Sequence, residues 1–305
     1  MQPVRFWLSA IAGALLATPL FAGPPPTQTE PAPSVSPVEI VRQAVQSEGA
    51  AQNSPAKYMF RDRKQTPHGS QTRLMAETVN AMAAFTIAYD DKPLTPEQRQ
   101  AELDRLHHLC VSPDDLRRKH KQELDDADRV GRIVKALPEA FLYHYAGTET
   151  GRDGMGVSGA PLVRLNFRPR PDYDPPSQVE RVLLGMEGYI LVDAGSHRIA
   201  KIDGTLQKDV SFGWGILGHL DRGGRFVVEQ GRIDQGAWEI TRMQLSFTGK
   251  ILFFKSINIQ STEVFSNFQP VPKDLTFTKA VDLLVEQEST FAENARPGDP
   301  SARKP

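Results

Sequence analysis

The stretch Gly154-Met155-Gly156-Val157-Ser158-Gly159 has the G-x-G-x-x-G spacing with which a strand-to-helix turn cradles pyrophosphate. Immediately downstream, Val163, Leu165 and Phe167 alternate with Arg164, Asn166 and Arg168. That is a strand, not a helix whose N-terminus could hold a phosphate. The motif therefore reads as a flexible hairpin loop. Gly156-Val157-Ser158-Gly159-Ala160 is a near miss to a nucleophile elbow, which also needs a strand–turn–helix. His107, His108, Cys110 and His120 invite a metal reading, but a tetrahedral site needs ligands that cannot be named here. His107 and Cys110 also coincide with an apolar stripe through Leu103 and Leu106, so they read more simply as core. Asp90-Asp91 and Asp125-Asp126 are carboxylate pairs, yet a hydrolase needs two carboxylates facing each other across a cleft. No catalytic residue, metal site or cofactor is assigned.

Composition sets the compartment and the class. Lys and Arg total 36 against 37 Asp and Glu, so the near-neutral chain gives no electrostatic reason to bind nucleic acid. The basic clusters Arg61 to Lys64 and Arg117 to Lys121 have acidic neighbours and read as solvated faces. At the N-terminus, Arg5 precedes an apolar run from Phe6 to Leu16 and a cleavage region from Thr18 to Ala22. This predicts a secretory signal peptide over 1–22 and a periplasmic protein. The alternative, an uncleaved anchor, has an apolar run that is short and broken by Gly13 and Pro19. Residues 23–36 form a Pro-rich linker, and the tail 291–305 is expected to be disordered. Between them lies one domain over 37–290. Cys110 is the single cysteine, so no intramolecular disulfide supports that domain.

The elements are set by capping and periodicity. Ser36-Pro37-Val38-Glu39 predicts a helix start, with Ile40, Val41, Ala44 and Val45 at helical spacing. Lys57 to Arg63 reads as a strand, and Ser70–Thr78 with Ala81–Asp90 as a hairpin. Thr95-Pro96-Glu97-Gln98 opens a helix, and Ser112-Pro113-Asp114-Asp115 opens another running to Leu137 and Pro138. The pair predicts a helical hairpin inserted over 95–137. Strands resume at Phe141, Tyr143 and Tyr145 and again over Pro161–Arg168, with a short helix over Ser177–Leu184. The last element is a helix from Leu275 to Gln287 with Val281, Leu284 and Val285 facing inward.

Between Gly185 and Phe268, short runs of Ile, Val, Phe and Tyr alternate with Gly, Asp and Ser turns, the pattern of an antiparallel meander. Trp238 and Ile240 are apolar at even positions, whereas Met243, Leu245 and Phe247 are apolar at odd ones. A β-bulge at Thr241-Arg242 would absorb the slip, bend the strand and keep all five on one face. Thr248-Gly249-Lys250 is expected to make the next turn, before a strand over Ile251–Gln260. Trp214, like Trp238, is either cavity lining or ordinary core.

With the segments GYILVDAGSHRIAKIDGTL and GAWEITRMQLSFTGKILFFKSINIQSTEVFSNF, the chain resembles the LolA/LolB-like superfamily of periplasmic carriers and sensors. The resemblance covers roughly residues 185–268, with weaker support at 57–90, and is a pattern of strands and turns with no transferable ligand motif. It implies an α+β fold: a strongly curved antiparallel sheet, an unclosed β-barrel, covered by helices. It also implies an apolar cavity for acyl chains, here assigned to Trp238, Ile240, Met243, Leu245, Phe247, Ile251 and Phe253. Such a cavity gains about 0.8 kcal/mol per buried methylene. The expected function is that of a monomeric, non-enzymatic carrier of a lipid or lipoprotein acyl chain. The alternatives are a cell-envelope module that binds a protein partner and, last, an exported hydrolase.

Overall fold

Helix α1 (Pro37–Ala51) begins where Ser36-Pro37 predicts, and the Ser36 carbonyl accepts the N–H groups of Glu39 and Ile40. The structure, a computed structural model, describes residues 35–51, 56–212, 218–234, 236–251 and 255–295. The expected export signal, nearly all of the linker, Trp214, Phe253 and the tail from residue 296 lie outside the described residues.

Three strands come after α1: β1 (Lys57–Thr66), β2 (Gly69–Ala76) and β3 (Ala83–Tyr89), with the two-residue β4 (Lys92–Pro93) at their edge. The helical hairpin comes next as α2 (Pro96–Val111) and α3 (Pro113–Ala140). The predicted capping box of α2 is present: Thr95 Oγ1 accepts the Gln98 N–H, and Gln98 Oε1 accepts the Thr95 N–H. Then come β5 (Phe141–Thr150), β6 (Pro161–Pro169), a 3-10 turn (Glu180–Gly185), β7 (Met186–Asp193) and β8 (Ile199–Leu206). The chain ends with β9 (Val210–Phe212), β10 (Gly218–Leu220), β11 (Arg225–Arg232), β12 (Trp238–Ile251), β13 (Lys255–Val271) and α4 (Phe277–Ala295).

All strands join one open sheet in the order β4-β3-β2-β1-β13-β12-β11-β8-β7-β6-β5, with β10 and β9 branching from β12. The expected unclosed antiparallel sheet with helices is therefore present. The strand pairing fixes which side each residue occupies. Leu165 pairs with Ile190, Ile190 with Ile202, Ile202 with Val228, and Val228 with Met243. Met243 then pairs with Glu263, and Glu263 with Lys64. This face carries the first core, where Leu165, Ile190, Phe141 and Leu206 pack with α1 and the C-terminal part of α3. Met59, one parity off Lys64, lies on the opposite face with its ladder partner Ala76 and with Leu74. There Leu74 and Phe85 form the second core with Leu106 of α2 and Phe277 and Leu284 of α4. Helices thus cover opposite faces at the two ends of the sheet, where the family resemblance leads one to expect helices wrapped by it.

Two expectations need correction. Lys250 and Thr248 still pair with Ser256 and Asn258, so β12 runs straight through the expected turn at 248–250. The chain reverses between Ile251 and Lys255, because continued pairing of two long strands satisfies more backbone groups than an early turn. The apolar stripe of α2 is also rotated. Leu106 is fully buried and Leu103, Leu109 and Cys110 pack around it, whereas His107 is exposed. Leu109 takes the core place given to His107, which keeps the imidazole in water.

Candidate functional site

The bulge lies at Thr241. Ile240 pairs with Gln230 and Arg242 with Glu229, leaving Thr241 without a partner opposite. As a result Trp238, Ile240, Met243 and Leu245 pair with Arg232, Gln230, Val228 and Phe226 in unbroken phase, Arg232 being the last residue of β11, at the end of the ladder. The five apolar residues of β12 do share one face. Their surroundings differ, however. Trp238 is buried with Met155, Leu162, Leu191 and Ala200, Phe247 packs on the first core, Met243 and Leu245 are half-buried, and Ile240 is 41% exposed. The side chain of Ile251 and all of Phe253 fall outside the described residues.

The bulge also does something the sequence does not announce. The Thr241 hydroxyl donates to the carbonyl of Gly154 and lies 3.3 Å from that of Glu229. It thereby clamps the glycine loop onto the sheet. The Gly156 N–H donates to the Gln230 carbonyl at 2.9 Å, and Arg232 N–H to the Gly156 carbonyl at 3.2 Å. Gly154 and Gly156 sit at φ +74° and +73°, the left-handed region that glycine alone enters without strain. A Cβ on Gly156 would also meet Leu162 Cδ2 at 2.8 Å. The glycines of this motif serve a docked loop, and the next element is the strand β6, as the pattern at 163–167 predicts.

Beside this loop, on the face opposite Met243, opens a groove of about 730 Å³. Arg152, Asp153 and Gly154 form one wall. Lys201, Val227, Glu229, Arg242 and Gln244 form the floor, and the stretch of β13 from Val264 to Phe268 forms the far rim. Arg225 lies at one end and Arg232, the last residue of β11, at the other, so five cationic and two acidic residues line it. Part of that charge is already paired. Arg152 Nη2 donates to both oxygens of Glu229 at 2.9 and 3.0 Å, and Lys201 Nζ lies 3.3 Å from the same carboxylate. Arg225 grips Asp203 through Nε at 3.0 Å and Nη2 at 2.8 Å. Burial alone would raise the Asp203 carboxyl, but Arg225 and Lys201 hold it below the usual carboxylate range. Arg232 and Arg242 have no salt bridge among the described residues. The groove thus carries fixed positive charge next to Val227, Val264 and Phe268, a surface suited to an anionic group with an apolar neighbour.

These groove residues were missed from sequence. Lys201 and Glu229 meet only because β8 pairs with β11 across the β9–β10 excursion, and that pairing cannot be read from either segment alone. The one signal in the sequence was alternation: Arg225, Val227 and Glu229 share a face opposite to Phe226 and Val228.

The proposed metal ligands do not assemble. His107 is exposed, His108 Nε2 lies 2.6 Å from Asp115 Oδ2, and no group of three or more His, Cys, Asp or Glu residues placed to hold a metal comes together among the described residues. A different acidic cluster does form where β1 approaches the start of β12. The Tyr58 hydroxyl donates to Asp234 Oδ2 at 2.8 Å, and its backbone N–H donates to Glu77 Oε2 at 2.7 Å. Burial, then the charges of Glu77 and Asp234, push Glu239 from 4.5 up to about 7 against the pull of Arg198. The folded chain therefore holds a proton at Glu239 that the unfolded chain has lost between those two values. From this group alone, stability falls as pH rises from 4.5 to about 7. Glu239→Gln is expected to flatten that part of the curve and to raise the urea midpoint above pH 7. An unchanged pH profile would show that Glu239 titrates normally.

Among the described residues, no helix is long and apolar enough to cross a membrane. No family model matches the chain, and no curated protein is similar to it. Among solved structures, the chain is similar to one in the complex of Pseudomonas aeruginosa MucA/MucB. The identity is 10%, the match covers 81% of this chain and 96% of that one, and the TM-score is 0.21. A likeness this slight carries no inference about fold or function.

Proposed function

We propose that this chain is an exported, non-catalytic binding module of the cell envelope that holds an extended, acidic segment of a partner protein. The observation that carries this reading is the groove beside the glycine loop, with Arg232 and Arg242 unpaired among the described residues and an apolar rim at Val264 and Phe268. Charge complementarity would steer the partner and fix its register, while the rim would take apolar side chains between its carboxylates. Export rests on the sequence of residues 1–22.

The test is a peptide array graded in Asp and Glu content, probed with the purified chain and with the double variant Arg232→Glu, Arg242→Glu. Binding should rise with acidic content and weaken with salt. The double variant should lose about 2 kcal/mol, roughly thirty-fold, because like charges then face each other. Equal binding at every acidic content would remove the proposal.

The competing reading is the LolA-like carrier of a lipid or lipoprotein acyl chain. It draws support from the shared face of Met243, Leu245 and Phe247. Native mass spectrometry of chain exported to a bacterial periplasm and purified without detergent separates the two. Stoichiometric fatty acid that disappears in Leu245→Asp would favour the carrier. A clean apo mass would favour the protein-binding module.

A further inference from the structure

β13 is paired on both sides for only part of its length. Residues 262–271 lie between β1 and β12 or beside β1, but the stretch Ser256–Ser261 pairs with β12 alone. Its other edge has no partner strand among the described residues. Natural sheets blunt such edges with charge, proline, bulges or very short strands, because open N–H and C=O groups recruit further strands. This chain does so elsewhere. The sheet ends at one side in β4, two residues long and composed of Lys92 and Pro93. The β5 edge, at the other side, is broken by an irregularity between Tyr145 and Thr148. The Ser256–Ser261 edge has none of these devices. It reads Ser-Ile-Asn-Ile-Gln-Ser, with no charge and no proline, and its register to β12 is unbroken. Ser256, Asn258, Ile259 and Gln260 are exposed, Ile259 at 43%.

The segment is complementary to itself. An antiparallel pairing centred on Asn258 sets Ile257 opposite Ile259 of the second strand, Ile259 opposite Ile257, and Ser256 opposite Gln260. Ile259 shares its face with Phe247 of β12. Four isoleucines would then lie together on that face, with the two Asn258 amides facing each other on the reverse. Cross-strand pairs of β-branched residues are favourable, and no like charges meet.

We propose that the Ser256–Ser261 edge of β13 pairs antiparallel with the same edge of a second copy of this chain, giving a two-fold dimer with one continuous sheet. This replaces the monomer expected from sequence and is independent of the groove and its ligand. An isologous contact of this kind closes on itself and does not propagate.

The test is light scattering of the full exported chain over a concentration series, together with two sets of variants. The wild type should shift from monomer to dimer, and Ile259→Lys should stay monomeric throughout, with a urea midpoint equal to that of the wild type at concentrations where the wild type is monomeric, showing that its fold is intact. Register is read by oxidative crosslinking in a Cys110→Ser background. Asn258→Cys, at the centre, should give a disulfide-linked dimer, and Ser261→Cys, far from its own counterpart, should not. A wild type that is monomeric at every concentration overturns the proposal, as does a dimer that survives Ile259→Lys. Crosslinking that is equal at the two positions overturns the register.

Discussion

Replacing Glu48 by alanine will lower the stability of the fold by about 3–5 kcal/mol, the range seen when one member of a buried ion pair is removed. The Glu48 carboxylate, on the last turns of α1, accepts four hydrogen bonds at 2.9 Å. They come from Arg198 Nε and Nη2, from the Ile199 N–H and from Gln230 Nε2. Arg198 and Glu48 are only 12% and 13% exposed, so water cannot take over these contacts freely. Without the carboxylate, the guanidinium is left beside the Trp238 ring, 5.6 Å from its centroid, with no other salt bridge among the described residues. Glu48→Gln keeps the shape and one acceptor oxygen and should cost less than the alanine. The measurement is the urea midpoint at constant slope. A loss below about 1 kcal/mol would mean that α1 is held by its apolar stripe alone.

The second large effect concerns the two cores. Phe85 and Leu165 are each fully buried, on opposite faces of the sheet. Phe85→Ala is expected to cost about 3–5 kcal/mol and Leu165→Ala about 2–5 kcal/mol. Because the sites share no packing partners, the costs should add to within about 0.5 kcal/mol. Where the double alanine variant is too unstable to measure, the milder pair Phe85→Leu and Leu165→Val carries the same test. A coupling well above that figure would show that the two cores behave as one packed unit.

Much of the architecture was legible because it is encoded locally. The capping box at Thr95, the proline after Ser36 and the alternation at 163–167 in β6 each act within a few residues, so a short stretch of sequence suffices. The Thr241 bulge was legible for a subtler reason: a change in apolar phase has only one cheap structural solution when one side of a strand is buried. What escaped was whatever depends on partners far apart in sequence. The sheet gains a face at β1–β3 opposite to the one at β5–β8 because β13 lies between them, and no pattern within β1 or β13 states this. The charged groove escaped for the same reason. Arg152, Glu229 and Lys201 come from a loop and two strands, and each alone is an ordinary solvent-facing residue. Periodicity makes the apolar face of β12 visible in the sequence and leaves its polar reverse unmarked.

The position of β13 also bears on how this chain can come into being. Among the described residues, the strands β1–β2–β3 join the rest of the sheet only through the β1–β13 ladder, in which Lys57 meets Val271 and Gln65 meets Thr262. Roughly two thirds of the polypeptide separates those partners, and closing so long a loop precedes any reward from the contact. During synthesis the amino-terminal strands must wait, unpaired on that edge, until the last strand has emerged. Folding is therefore late and slow by topology. A truncation that removes β13 should leave two fragments of sheet with no register between them.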